Sequence, residues 1–159
     1  MDDVTIALAI HVLAVVFWIG GVAMVTTVLL PTVRRLKSAE DRIAFFAAIE
    51  HRFAWQARGT TLLAGASGFY MVHRLNLWSR FPTAEYWWLS AMVAVWFLFT
   101  LMLFIIEPLF LRRRLTSSAR RAPERSFAQI RIFHWILLML SLVTIFGAVA
   151  GSRGLSLIR

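Results

Sequence analysis

Four long apolar stretches, separated by polar and basic connections, dominate the pattern of this 159-residue sequence. They cover residues 4–30, 53–72, 86–111 and 132–151. A helix needs about 20 apolar residues to cross the hydrocarbon layer of a bilayer. Within lipid every backbone N–H and C=O must find a partner in its own segment, so each stretch is expected to be a helix. The pattern predicts an all-α, integral membrane four-helix bundle that forms a single domain over residues 1–159.

The composition excludes most classes of soluble protein. Apolar residues make up 60% of the chain and charged residues only 16%, whereas ordinary globular domains have about half apolar and about a quarter charged residues. The chain has too few polar residues to cover its apolar ones in water, so we expect a lipid bilayer to surround it. The sequence contains no cysteine, which excludes disulfides, iron–sulfur clusters, thiolate zinc sites and cysteine nucleophiles.

The distribution of basic residues predicts the orientation of the helices. The first and third connections, with the adjoining helix ends, contain thirteen basic residues, whereas the second connection and the C-terminal tail contain four. Connections rich in arginine stay on the cytoplasmic side. Both termini are therefore expected outside. The net charge of +9 does not indicate a nucleic-acid partner, because the basic residues lie between the apolar stretches rather than on one folded face.

Several local signals predict where helices end and how they pack. Pro31 is expected to mark the cytoplasmic end of helix 1. Ser38, with an acidic residue three positions later, is expected to cap the start of helix 2. Gly147 and Gly151 have the small-xxx-small spacing that permits close approach of two membrane helices. Glu107 lies near the cytoplasmic end of helix 3.

Glu107 allows two interpretations. The simpler one is a local ion pair with the arginines at 112–114, next to a helix end adjusted by Pro108. The alternative is a role in proton transfer, because ionisable residues within a span are expensive and usually functional.

Four histidines are the candidate ligands. In the predicted orientation His11 and His73 lie toward the outside, whereas His51 and His134 lie toward the cytoplasm. Two neutral imidazoles that face each other between membrane helices can hold the iron of haem b from both sides. The sequence predicts one haem b held by His11 and His73, and it leaves open a second haem held by His51 and His134. Arg74 or Arg153 would pair with a propionate of the outer haem, and Arg52, Arg58 or Arg131 with one of an inner haem.

The alternative for three of these histidines is a solvated position at the membrane interface. His11 differs, since only apolar residues flank it. Iron with two histidine ligands favours electron transfer, because both axial positions are filled. The predicted function is a cytochrome b-like protein that transfers electrons across the membrane, with a quinone or a redox protein as partner. Whether the protein is itself an oxidoreductase, and whether it forms homo-oligomers, stays open.

The segment from His11 to Gly21, HVLAVVFWIGG, resembles the first helix of the copper resistance protein D family and of the related HemJ-type protoporphyrinogen oxidases. In both groups a histidine near the helix start is followed a heptad later by a tryptophan, here Trp18, and then by two small residues. Residues 52–69 look more loosely like the second helix of that superfamily. The resemblance implies a compact bundle in the bacterial inner membrane, with periplasmic termini and His11 as the functional histidine. It also implies two alternative functions: oxidation of protoporphyrinogen in the presence of haem b, and import or binding of copper.

Overall fold

The computed structural model of the protein describes residues 2–35, 39–111 and 123–154. These residues are almost entirely helical, and the described ranges contain no strand. We number the four long helices in chain order: α1 is Asp2–Arg34, α2 is Ala39–Arg74, α3 is Trp87–Leu101 with its π-helical continuation Met102–Leu111, and α4 is Pro123–Ser152. Two short 3₁₀-helices, Leu77–Arg80 and Ala84–Tyr86, connect α2 to α3. The all-α prediction is confirmed.

Three of the four helices are long and apolar enough to cross a membrane, as expected for a multi-pass membrane protein. The qualifying segments are Asp2–Arg34, Ala84–Pro108 and Ala128–Ser152. Helix α2 does not reach the same hydropathy, because Gln56 and Arg58 interrupt its apolar sequence and several small or hydroxyl residues follow them.

Buried residues from all four helices form one hydrophobic cluster. Its members are Ala14, Trp18, Ile19 and Val22 from α1, Ala64 from α2, Val95 and Phe99 from α3, and Leu137 and Leu138 from α4. Large residues of α1, α3 and α4 therefore surround a small residue of α2. A second cluster, Val25, Leu29, Leu30 and Val33, lies nearer the C-terminal end of α1 and contacts α2 and α4 through Ile49 and Ile130.

Helices α1 and α2 pack antiparallel along most of the length of α1. At one end the Asp3 carboxylate contacts the Arg74 guanidinium. Farther along, the Phe53 ring lies directly on Gly21, where a Cβ atom would overlap with it. This register is possible because the face of α2 toward the interior carries mainly small side chains, so the two backbones approach closely.

Helices α3 and α4 pack through aromatic rings on glycine. The Trp87 ring lies on Gly147 and the Trp88 ring on Gly151, and a Cβ atom at either glycine would overlap with the indole. Both glycines are packing positions, but their neighbour is an indole ring and not the backbone of a second helix. About one turn of α4 separates the two glycines, whereas the two tryptophans are consecutive residues at the start of α3.

One predicted helix end is wrong. Helix α1 continues past Pro31 to Arg34. The wider π-helical turn Val25–Leu29 precedes the proline, which then stands in the first turn of the segment Leu30–Arg34. Proline has no N–H to donate to the preceding turn and its ring crowds that turn, and the wider π-helical turn before it accommodates both. Helix α2 begins at Ala39, as the predicted cap implies, although Ser38 itself lies outside the described residues.

Candidate functional site

His11 projects from α1 onto the backbone of α2. The residues one turn away on either side, Ala7 and Ala14, are buried, and His11 itself is half-buried. Its Nδ1 atom lies 2.9 Å from the carbonyl oxygen of Ala64 and 3.2 Å from Oγ of Ser67. A carbonyl oxygen only accepts hydrogen bonds, so Nδ1 carries the proton and Nε2 keeps its lone pair. The arrangement leaves a neutral imidazole with one nitrogen suited to bind a metal ion.

Two residues of α2 shape the position of this ring. Ser67 donates its hydroxyl to the carbonyl oxygen of Leu63 at 2.6 Å, so its Oγ can accept from His11. At Gly68 a Cβ atom would lie 3.2 Å from Cε1 of the imidazole. A larger side chain would therefore press on the ring, and glycine at this position makes the close approach of His11 to α2 possible.

The structure does not bring His73 and His11 together. His73 is exposed and lies in the last turn of α2. The His11 ring contacts α2 at Ala64 and Gly68, and the rise along α2 from Gly68 to His73 is about 7.5 Å. Two imidazole nitrogens that bind one iron from opposite faces must lie within a few ångströms of each other. Helices α1 and α2 pack directly at the level of His11. Ligation of one haem by His11 and His73 stays a prediction.

Arg74 has a partner within the protein. Its Nε donates to Oδ2 of Asp3 at 2.9 Å, and Nη2 lies 2.6 Å from the same oxygen. Tyr70 donates its hydroxyl to that oxygen as well, at 2.9 Å. The hydrogen bond to the Asp3 carboxylate raises the pKa of Arg74 above its ordinary value. The expected pairing of Arg74 with a propionate stays a prediction, and it would compete with Asp3.

His134 repeats the hydrogen-bonding pattern of His11 at the other end of the molecule. Its Nδ1 lies 2.9 Å from the carbonyl oxygen of Ile130, one turn earlier in α4, so Nδ1 is again the protonated nitrogen and Nε2 keeps its lone pair. Ile130 packs on the cluster that begins at Val25, about 20 Å along α1 from His11. His51 lies in α2, and its side chain lies outside the described residues.

Glu107 pairs with a residue that the sequence analysis did not connect to it. Its Oε2 atom lies 3.1 Å from Nη2 of Arg58, in α2, and each side chain is only about one-fifth exposed. The arginines at 112–114, the partners expected from the sequence, lie outside the described residues. A largely buried pair of opposite charges between two helices of so apolar a protein indicates a functional or structural constraint.

The same arginine also satisfies the backbone of α3. Nε of Arg58 donates to the carbonyl oxygen of Leu103 at 3.1 Å. In a π-helix that carbonyl would accept from the residue five positions later, which is Pro108, and proline has no N–H. Arg58 therefore donates to a carbonyl oxygen that the proline cannot serve. The proline inside the π-helical segment was the available sequence signal for this contact.

The donor chemistry of two of the four predicted ligands fits haem. Histidines that bind metals generally donate their other ring N–H to a carbonyl or carboxylate, which fixes the tautomer and the ring orientation. His11 and His134 both show this arrangement. His73 shows no comparable side-chain contact among the described residues. The ligand pairs His11 with His73 and His51 with His134 stay predictions.

Comparison with known proteins identifies no relative of this chain. No protein-family model matches the sequence, no curated protein is significantly similar to it, and no solved structure matches its fold. The resemblance of the segment from His11 to Gly21 to two membrane protein families stays a prediction.

Proposed function

We propose that all four helices cross the bilayer, with both termini outside, in the inner membrane of a bacterium. The register of α2 supports this: it follows α1 from Asp3, which contacts Arg74, to Gly21, which contacts Phe53. If α1 crosses the bilayer, a helix packed along it crosses at the same depth. The outward face of α2 also carries exposed apolar side chains, such as Leu62. Its lower hydropathy reflects the small and polar residues on its inward face.

The absence of cysteine gives this topology a direct test. A single cysteine can be placed at Ser79, in the connection between α2 and α3, or at Arg35, after α1, and both positions are exposed. We expect a membrane-impermeant maleimide to label S79C on intact spheroplasts and to label R35C only after lysis. Labelling of both positions from the same side would mean that α2 does not cross the bilayer.

We propose that the protein binds haem b and transfers electrons across the membrane, with His11 as a ligand on the outer side. The observation that carries this proposal is the position of His11, whose Nδ1 is held by the Ala64 carbonyl at 2.9 Å while Nε2 keeps its lone pair within an apolar bundle. Haem b, when bound, supplies an iron that changes between the ferric and ferrous states and so accepts or releases one electron. The Ala64 carbonyl and Ser67 hold the imidazole in one tautomer, and Gly68 sets its depth.

On the inner side His134 takes the corresponding role. Its Nδ1 is held by Ile130 in the same way, and His51 stays the predicted second ligand there. The two levels lie about 20 Å apart along the bundle. A haem at each level would divide electron transfer across the membrane into shorter steps. A quinone or a redox protein stays the proposed partner.

The experiment is an absorption spectrum of protein purified in mild detergent from haem-replete cells, recorded before and after dithionite. We expect a b-type spectrum that sharpens on reduction. His11→Ala should lower the haem content at least several-fold. His73→Ala tests the predicted second ligand, which is exposed in this structure. A loss like that of His11→Ala would support the pair, and the wild-type haem content would assign the outer site to His11 without His73.

Two results would overturn the haem proposal. One is a colourless wild-type preparation, and the other is full haem content in both His11→Ala and His134→Ala. Metal analysis of the same samples separates the copper alternative, which would give stoichiometric copper and no porphyrin.

A further inference from the structure

Thr61 differs from the other buried hydroxyl side chains that the structure describes. Four of these five side chains donate to a carbonyl oxygen of their own helix, one turn earlier, at 2.6–2.8 Å: Thr26, Ser67, Ser141 and Thr144. The fifth, Thr61, is completely buried, and its Oγ1 has no hydrogen-bond partner within the described residues. Serine and threonine in helices usually make this local bond. The hydroxyl of Thr61 is therefore turned away from its own backbone.

Trp18, on α1, has the complementary property. Only 4% of its surface is exposed, and its indole Nε1, which can only donate, also lacks a partner among the residues that the structure describes. Buried polar groups in folded proteins are nearly always hydrogen-bonded to protein or to ordered water. Two such groups in one apolar bundle indicate a shared ligand, provided that they lie close together.

Contacts with α3 place Trp18 and Thr61 at neighbouring turns of the same core. The Trp18 ring meets the Phe99 ring edge-on, with 4.8 Å between the ring centroids. The backbone carbonyl of Thr61 accepts a hydrogen bond from Nε1 of Trp96 at 2.9 Å. Trp96 and Phe99 are three residues apart, which corresponds to about 4.5 Å along α3. Ala64, one turn from Thr61, also belongs to the same hydrophobic cluster as Trp18 and Phe99.

We propose that Nε1 of Trp18 and Oγ1 of Thr61 together bind a buried water molecule. The chemistry is complementary, because water can accept from the indole N–H while the hydroxyl either accepts from it or donates to it. On the inward face of α2 Thr61 stands between Arg58 and Ala64. The water would thus lie between the Arg58–Glu107 ion pair and the His11 hydrogen bond. It would add a polar group at the level of the core where the surrounding side chains are apolar. This inference does not depend on haem binding.

The test uses protein labelled with ¹⁵N-tryptophan in detergent micelles. The indole signal of Trp18 is assigned with the variant Trp18→Phe, and magnetisation transfer between each indole N–H and water is then measured by NMR. We expect a cross-peak between Trp18 and a long-lived water. Trp96 is the internal control and should show none, because its N–H already donates to the Thr61 carbonyl.

Thr61→Val removes the hydroxyl at nearly constant volume and should abolish the Trp18 cross-peak. Thr144→Val is the matched control, since that hydroxyl is also buried but bonds to its own helix, and it should leave the cross-peak unchanged. Absence of the cross-peak in the wild-type protein, or its persistence in Thr61→Val, would overturn the proposal. The wild-type measurement gives an answer even if Thr61→Val fails to fold.

Discussion

The interface between α1 and α2 and the interface between α3 and α4 are built in different ways. Between α1 and α2, polar groups meet at two levels: Asp3 with Arg74 at the end of the bundle where α1 begins, and His11 with the Ala64 carbonyl farther in. Between α3 and α4, the described contacts near the start of α3 are tryptophan rings lying on Gly147 and Gly151. The first interface contains polar groups that could bind a ligand, whereas the second is held by the packing of aromatic rings on glycine.

The difference follows from what stabilises helices in lipid. Lipid tails are as apolar as leucine, so close packing and interhelical hydrogen bonds hold membrane helices together. Helices α3 and α4 use the first of these means. Helix α2 adds the second, with Arg58, Thr61 and Ser67 on its inward face. A helix that presents these groups has lower hydropathy, and for that reason it is the one that does not qualify as a span by composition alone.

The largest expected loss of stability comes from breaking the ion pair on the polar side. Glu107→Gln leaves the partly buried Arg58 without its charged partner, and we expect the free energy of unfolding to fall by about 3 kcal/mol, at the lower end of the range for buried pairs. Unfolding of the purified protein in mixed micelles measures it. The double variant Arg58→Met with Glu107→Gln should lose less than Glu107→Gln alone, since no unpaired charge remains. An equal or larger loss in the double variant would contradict this account of the pair.

The packing of α3 on α4 should be the next most sensitive feature. Gly147→Ala places a methyl group where the Trp87 ring lies, and we expect a loss of about 1–3 kcal/mol from overpacking. Gly20→Ala is the matched control, because no atom lies within 4 Å of the added Cβ and alanine is the better helix former. If both variants have the same melting temperature, the Trp87 ring does not pack against Gly147 as described.

A smaller effect on stability is expected at Gly68. The added methyl group of Gly68→Ala would approach the His11 ring at 3.2 Å, which requires a shift of a few tenths of an ångström and should change the free energy of unfolding by about 1 kcal/mol or less. The haem spectrum should respond more strongly than the stability, because the shift acts on the proposed ligand. A spectrum identical to that of the wild type would show that His11 does not contact the chromophore.

The smallest effect is expected at the outer end of the polar interface. Asp3→Asn removes an ion pair whose side chains are 36% and 51% exposed, and exposed pairs contribute little to stability. The melting temperature should stay within about one degree of the wild-type value at moderate salt, where screening weakens such pairs further. A drop of several degrees would mean that this pair, rather than the packing of small residues, fixes the register of α1 and α2.

The sequence was sufficient for the helices and for local motifs. Each apolar stretch lies almost entirely within a helix, because lipid permits little else, and the glycines of α4 carried their packing role in their spacing. The position of His11 among apolar residues singled it out, and the structure places its ring against the backbone of α2. Its role as a ligand stays a prediction.

Contacts between helices distant in the sequence could not be predicted. Arg58 and Glu107 are separated by a complete connection, and their pairing depends on the rotation and register of α2 against α3, which packing of the whole core determines. The π-helical turns near Pro31 and Pro108 could not be predicted either. A proline indicates that the regular helix is interrupted, but it does not indicate whether a kink, a break or a π-helical turn results. The unpartnered state of Thr61 depends on its side-chain rotamer, which no sequence pattern encodes.

The central claim is that His11 is a ligand and not only a buried residue, and rescue by free imidazole tests it most directly. His11→Gly removes the ligand and leaves room for a small molecule in its place. We predict that the purified variant has a low haem content and that imidazole, added with haem, restores the wild-type reduced spectrum. A His11→Gly protein that retains the haem content and spectrum of the wild type without imidazole would contradict the claim.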